Sequence, residues 1–351
     1  MTTPIQEKHL AWSHKQGRIL TANGKALELY TEQRGFPFEK DELPHYHLAG
    51  GNTHQVFHSW LPIPSSPICG AWKRTLFYGT WEHSTEDDEI VYNVQTNSLF
   101  IDLRIPTTRQ QVLPENCTSL ASLTDKELRL YARQHVFGGF SKITKERNRE
   151  VCTRHHCVDW NYVGTPRPRP NKWWIEMHPD NNVWKEWAYA TDDYGQQYYM
   201  ERWERLEGGA AEQRLALRKK EGVDGILVVV GDHFNYLVGR CIIGTEEVQT
   251  SLVGVVGTAL SKGDRATAES FLHMEAGHGR VSTGWKIDAA IQPWKEGTIL
   301  FDDEDIRVVG DSIDSCHVLW DGTRWDVYES SFKTVGQLRD VLCPGRKRQK
   351  G

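Results

Sequence analysis

Hydrophobic and polar positions alternate along most of this chain. In "NSLFIDLRIP" (Asn97–Pro106), Leu99, Ile101, Leu103 and Ile105 form one row, and Phe100, Asp102 and Arg104 form the other. A period of two belongs to a β-strand, whose successive side chains leave opposite faces. Comparable runs predict strands over 70–78, 89–96, 98–105, 139–145, 157–163, 172–177, 184–190, 197–206, 225–230, 234–242, 271–275, 284–291, 298–301, 316–320 and 324–329. Short turns such as "TNS", "VGD" and "WDGT" punctuate them. Helical patterning is confined to three segments: "TDKELRLYARQHVF" (124–137), "AAEQRLALRKK" (210–220) and "EVQTSLVGVVGTAL" (247–260). The first opens on Thr124 with Glu127 three residues later, the spacing of a capping box.

The order of features repeats weakly. Trp81, an acidic turn at Asp87-Asp88, a tyrosine strand and an apolar strand ending at Arg104 are followed by a helix. Trp187, Asp192-Asp193, Tyr198-Tyr199, apolar strands ending at Arg240 and another helix repeat that order. With 351 residues the chain exceeds one ordinary core, so two domains are expected. The boundaries drawn are 1–181, with a polar N-terminal extension, then 182–345, then a basic disordered tail over 346–351. "PRPRP" (166–170) reads as a stiff loop inside the first half.

Many short antiparallel strands per half, with one helix each, predict a mainly β fold of closed or nearly closed sheets. Within "CGAWKR" (69–74), Gly70-Ala71-Trp72 resembles the G-x-W opening of lipocalin and calycin barrels, whose Trp closes the barrel base. "VYNVQTNSLFIDLRIP" (91–106) is similar to a phrase in poorly characterised microbial and fungal proteins with two tandem calycin-like barrels. The resemblance implies two lipocalin-like antiparallel β-barrels in tandem. It also implies a small apolar ligand in a barrel mouth, or cyclase activity as in some two-barrel relatives of fungal biosynthesis.

Charge and composition narrow the field. A net charge of −5 argues against a general nucleic-acid binder. The lack of a long apolar run and the polar N-terminus predict a cytoplasmic protein without a membrane span. The 7 cysteines contain no C-x-x-C pair, so no disulfide framework is expected. The 14 tryptophans fit either β-rich cores or ligand-facing surfaces. Walker, G-x-S-x-G and H-E-x-x-H signatures are missing. His45, His47 and His54, or His155, His156 and Cys157, lack a further ligand at a recognisable spacing, so neither metal nor cofactor is predicted.

Three strands carry candidate chemistry. Phe100, Asp102 and Arg104 either line a barrel interior, with the aliphatic row covered from outside, or lie on the outer surface. In "QQYYMERWERLEG", Tyr199, Glu201, Trp203 and Arg205 share a face. In "GDHFNYLVGR", His233 follows a turn, with Tyr236 and Arg240 on the strand behind it. The predicted ligand set is therefore Phe100, Asp102, Arg104, Tyr199, Trp203, Arg205, Tyr236 and Arg240, with an arginine holding an acidic group. His233 and Glu201 are the acid–base candidates. The expected function is binding of a small, partly apolar, acidic molecule. The alternatives are a metal-independent isomerase, cyclase or lyase, and a regulatory scaffold that binds another protein. Oligomeric state is open.

Overall fold

A computed structural model describes residues 65–79, 82–84, 89–107, 109, 113, 117–146, 148–161, 171–188, 199–219, 222–240, 252–302 and 304–343. The early histidines, the proline run, the acidic turns and the basic tail lie outside them. In chain order the first sheet comprises β1 (Gly70–Gly79), β2 (Glu82–Ser84), β3 (Glu89–Gln95), β4 (Leu99–Pro106), then helix α1 (Asp125–Tyr131). It continues with β5 (His135–Glu146), β6 (Arg149–Asp159), β7 (Asn171–Met177), β8 (Val183–Ala188) and β9 (Tyr199–Arg205). Consecutive strands pair antiparallel, β2 hangs from β1, and β1 pairs with β9 from Trp72↔Arg205 to Gly79↔Tyr199. This last pairing closes eight strands into a barrel, which removes their unpaired edges.

The second sheet comprises β10 (Arg214–Lys219), β11 (Gly225–Val230) and β12 (His233–Val238), then helices α2 (Leu252–Ser261) and α3 (Arg265–Leu272). It ends with β13 (Glu275–Arg280), β14 (Lys286–Ala290), β15 (Ile306–Val309), β16 (His317–Trp320), β17 (Thr323–Ser330) and helix α4 (Val335–Leu342). Its strand order is β14-β13-β12-β11-β10-β17-β16-β15. Leaving β2 aside, both sheets run three strands, a helical segment (α1 in the first, α2 and α3 in the second) and five strands, and in both the first strand pairs with the last. The repeat is therefore one of topology.

The expected second closed barrel is not formed, because β14 and β15 do not pair. Their edges are covered otherwise. On β14, Ile287 N–H donates to Thr298 O (2.9 Å) and accepts at its carbonyl from Gly297 N–H (2.8 Å). On β15, Arg339 Nη2 of α4 donates to Val308 O (3.3 Å), and Cys343 Sγ donates to Ile306 O (3.6 Å). A helix and a loop thus satisfy groups that strand pairing satisfies in the barrel. β8 and β9, which lie beyond the expected division at 181/182, complete the barrel wall, and the second sheet opens at Arg214.

Three apolar clusters hold the molecule together. Leu99, Ile101, Leu103 and Ile105 point out of the barrel and pack with Val228, Val230 and Leu237 of the second sheet and Leu128, Tyr131 and Ala132 beside them. Each fully buried Leu or Ile contributes about 1.5–3 kcal/mol. Asn235 Nδ2 crosses this interface to Tyr92 O (3.2 Å) and Ile101 O (3.0 Å). Glu329 caps the β3–β4 turn through Asn97 Nδ2 (2.7 Å) and Ser98 Oγ (2.8 Å). A second cluster fills the concave face of the second sheet beneath α4, and a third lies inside the barrel.

Some local expectations fail for identifiable reasons. "AAEQRLALRKK" contains strand β10, not a helix, because Arg214–Lys219 pairs on both sides with β11 and β17. Tertiary pairing overrides its helix propensity. Helix α1 has the capping box between Thr124 and Glu127, but stops at Tyr131, since His135–Phe140 is needed to pair with β4. Of the strand expected over 271–275, Phe271 and Leu272 end α3 and only Glu275 is strand, the first residue of β13. The strand expected over 298–301 is limited to an isolated bridge between Lys286 and Ile299. No helix among the described residues is long and apolar enough to cross a membrane.

Candidate functional site

Alternation now decides what faces the barrel interior. β4 sends its aliphatic row outward into the interface, so Phe100, Asp102 and Arg104 face inward, and all three are buried. The neighbouring walls add Arg74 from β1, Glu89 from β3, Arg154 from β6, Glu186 from β8 and Glu201 from β9, all buried. Ionic side chains in such a place persist only when matched and hydrogen-bonded. They form a lattice. Arg104 Nε donates to Asp102 Oδ1 (2.7 Å), and its Nη1 to Glu201 Oε1 (3.3 Å). Arg74 bridges Glu201 Oε1 (2.8 Å) and Glu89 Oε2 (3.1 Å). Arg154 donates to Gln95 Oε1 (2.9 Å) and sits 3.6 Å from Asp102 Oδ2.

Aromatic rings surround the lattice. The Arg154 guanidinium lies 4.4 Å over Phe100 and 5.3 Å over Trp173. Trp184 and Trp203 stack at 5.4 Å, and Trp72 meets Trp184 edge-on at 6.1 Å. Trp72 donates its indole N–H to Ile68 O (2.8 Å). Above it lies Arg205, 4.1 Å from the ring, tied to Asn181 O (2.7 Å) and Gly209 O (3.1 Å). A Cβ on Gly70 would stand 2.5 Å from Arg205 Nη1, so glycine is required for that lid on the tryptophan.

Burial and charge set the protonation states. Burial pushes the Asp102 carboxyl up, but Arg104, Arg154 and Arg74 outweigh it and hold it below its ordinary range. Burial, reinforced by Glu201, pushes Glu186 well above the ordinary carboxyl range. Glu186 and Glu201 are register partners on adjacent strands. The barrel interior therefore sets a carboxyl pushed up by burial beside one that accepts from two arginines.

Polar atoms are left over in the same region. Glu201 Oε2, Trp184 Nε1 and Trp203 Nε1 have no hydrogen-bond partner among the described residues, and their residues are 1%, 1% and 0% exposed. Native proteins rarely leave such groups unmet. At one end of the lattice His156 Nδ1 contacts Asp159 Oδ2 (2.7 Å) and its ring stacks on Phe137 at 4.3 Å. No group of three or more His, Cys, Asp and Glu among the described residues could hold a metal ion.

The predicted residues do not form one site. Phe100, Asp102, Arg104, Glu201 and Trp203 come together in the barrel; of Tyr199 only the backbone, on β9, is described. Arg205 belongs to the barrel's base. His233, expected at a barrel mouth, is instead buried, with Nε2 2.8 Å from Glu207 O and its ring 5.3 Å from His278. It shares the interface-facing row of β12 with Asn235 and Leu237 and is remote in role from Glu201. Tyr236 faces the opposite way, into the apolar cluster of the second sheet. Arg240, expected at a rim, is buried. Its Nη2 donates to Trp160 O (2.6 Å), and burial, opposed by Asp159, lowers it to about 9. Sequence reasoning singled out Trp72 through the G-x-W resemblance but missed Arg74, Glu89, Arg154, Glu186, Trp173 and Trp184. The same alternation that marked Phe100, Asp102 and Arg104 was present in "AWKRTLF" and "VWKEWA", where Trp72 and Arg74, and Trp184 and Glu186, are spaced by two.

No protein-family model matches the chain, and no curated protein matches it. Among solved structures it is similar to an uncharacterized protein of Saccharomyces cerevisiae, with a TM-score of 0.43 and 13% identity over 75% of this chain and 99% of that one.

Proposed function

We propose that the closed barrel is a receptor for one small molecule, held beside the stacked tryptophans and the Glu186–Glu201 pair. The observation that carries this reading is the set of three unmet buried atoms, one acceptor on Glu201 and one donor on each of two indoles. Each unmet group costs about 1–3 kcal/mol in an empty protein. A ligand that donates to Glu201 and accepts from Trp184 and Trp203 recovers that cost, and the ring faces supply contact area. The expected acidic ligand on Arg104 is revised, because Arg104 already binds Asp102 and Glu201. Arg240 is likewise committed to Trp160 O.

The carboxyl pair gives the enzyme reading its one specific support. Glu186, pushed up by burial, as acid and Glu201 as base would suit an isomerase or lyase. Retained binding with lost turnover in Glu186→Gln would favour it over a simple receptor. The scaffold reading has weaker support: Ile90 and Ile299, 37% and 56% exposed, are the only exposed large hydrophobics among the described residues.

Native mass spectrometry of the full chain as purified tests the receptor. It should show a bound organic mass that is lost on denaturation and weakened in Trp203→Phe. A bare chain, with no adduct from a metabolite extract, would contradict the proposal.

A further inference from the structure

Resting on the receptor reading, we infer that the ligand is a neutral ring compound with several hydroxyl groups, a sugar in its pyranose form, whose hydroxyls donate and accept at once. The unmet atoms in the barrel are of both kinds. Glu201 offers an acceptor at Oε2, and Trp184 Nε1 and Trp203 Nε1 are donors. Arg154 adds a further donor: its side chain is buried, and its Nε has no hydrogen-bond partner among the described residues. These groups lie together. Trp184 and Trp203 are register partners on β8 and β9 with stacked rings, and Glu201 is two residues from Trp203 on the same face. The Arg154 guanidinium lies 5.3 Å over Trp173, which packs in one cluster with Trp184 and Trp203.

The mixture selects the ligand's functional groups. An ammonium group only donates, so it meets Glu201 and leaves the indoles and Arg154 unmet. A carboxylate only accepts, so it meets the N–H groups and sets a like charge against Glu201. A hydroxyl does both with one oxygen. An amide divides the two roles between two atoms and fills two points only. The donors stand on β6, β8 and β9, so several hydroxyls around one compact ring match them where a single hydroxyl does not. The C–H hydrogens on the face of a pyranose also suit the electron-rich faces of indoles. The protein groups are held in place beforehand, which lowers the cost of binding. Arg74 (2.8 Å) and Arg104 (3.3 Å) grip Glu201 by Oε1 and leave Oε2 for the ligand. Arg154 is held by Gln95 Oε1 (2.9 Å) and by the face of Phe100 (4.4 Å), and the two indoles by their stacking.

Titration calorimetry on the full chain tests this with the methyl pyranosides of glucose, galactose, mannose and xylose. Cyclohexanol, cyclohexylamine and cyclohexanecarboxylate serve as six-membered rings with one hydroxyl, one ammonium or one carboxylate. At least one pyranoside should bind, change the tryptophan fluorescence, and exceed every cyclohexyl compound by at least about tenfold. Trp184→Phe and Trp203→Phe each keep an aromatic ring and remove one N–H. Each should fold and weaken that pyranoside by at least about fivefold. Equal or tighter binding of a cyclohexyl compound, or unchanged pyranoside affinity in both variants, overturns the inference and leaves the receptor standing. So does an adduct in native mass spectrometry whose exact mass is that of an amine, acid or amide, with no pyranoside binding. No pyranoside binding together with a bare chain after a metabolite extract overturns both.

Discussion

The two sheets run the same course and are filled with opposite material. The barrel encloses arginines, carboxylates and stacked tryptophans. The concave face of the second sheet holds Leu215, Leu217, Val229, Phe234, Trp285 and Trp325, closed over by Leu338 and Leu342 of α4. The first interior is lined with ion pairs, and its unmet polar atoms among the described residues include Glu201 Oε2 and the indole nitrogens of Trp184 and Trp203. The second is sealed by apolar contact, and Tyr236 Oη is its leftover polar atom. A β-meander can evidently serve as a structural block or as a lined chamber, and side-chain choice on alternate positions decides which. That contrast locates the proposed site in one sheet.

Breaking the lattice should give the largest effect. Arg104→Ala leaves Asp102 and Glu201 buried with less compensation, and denaturant unfolding should show a loss of about 3–5 kcal/mol. Removing apolar volume from the second sheet should come next: Leu338→Ala, fully buried under the sheet, should cost about 2–5 kcal/mol without changing ligand binding. A loss of binding there would mean that the two interiors are not independent.

The pH dependence separates the two carboxyl types. Asp102 is held below its ordinary range, so its contribution is complete above that range and fades as pH falls through the lowered value. Glu186 is held above its ordinary range. As pH rises past the ordinary carboxyl value, the unfolded chain releases this proton and the folded chain keeps it, so stability falls. Glu186→Gln should therefore stabilise the empty protein, with a gain that grows from acidic to neutral pH in thermal melts. The smallest effect belongs to the second sheet. Tyr236→Phe removes a buried hydroxyl without a partner among the described residues and should change stability by no more than about 1 kcal/mol, toward stabilisation.

Much of the fold was legible because a period of two survives any context. "LFIDLRIP" and "GILVVV" read as strands and are strands. What alternation cannot give is the sign of a face. Whether Leu99 or Phe100 points inward depends on what covers the other side, and the cover is a sheet more than a hundred residues later. For the same reason Arg104 and Arg240 look alike in sequence but lie in a barrel and at an interface. β10 was misread because its leucines and arginines suit a helix locally, and only its two strand partners decide otherwise. Helix α4 carried an overlooked signal, Thr334 with Gln337 three residues on, which forms a capping box. The site itself was half legible. Strand pairing brought Glu186 beside Glu201, and no spacing within one strand reveals a partner on the next.

The most direct test is a high-resolution crystal structure of the protein as purified, read at Glu201 Oε2 and at the indole nitrogens of Trp184 and Trp203. The account predicts one organic molecule in the barrel that contacts all three, and none within the second sheet. Ordered water alone on those three atoms, in crystals of the protein as purified and after incubation with a metabolite extract, would contradict it.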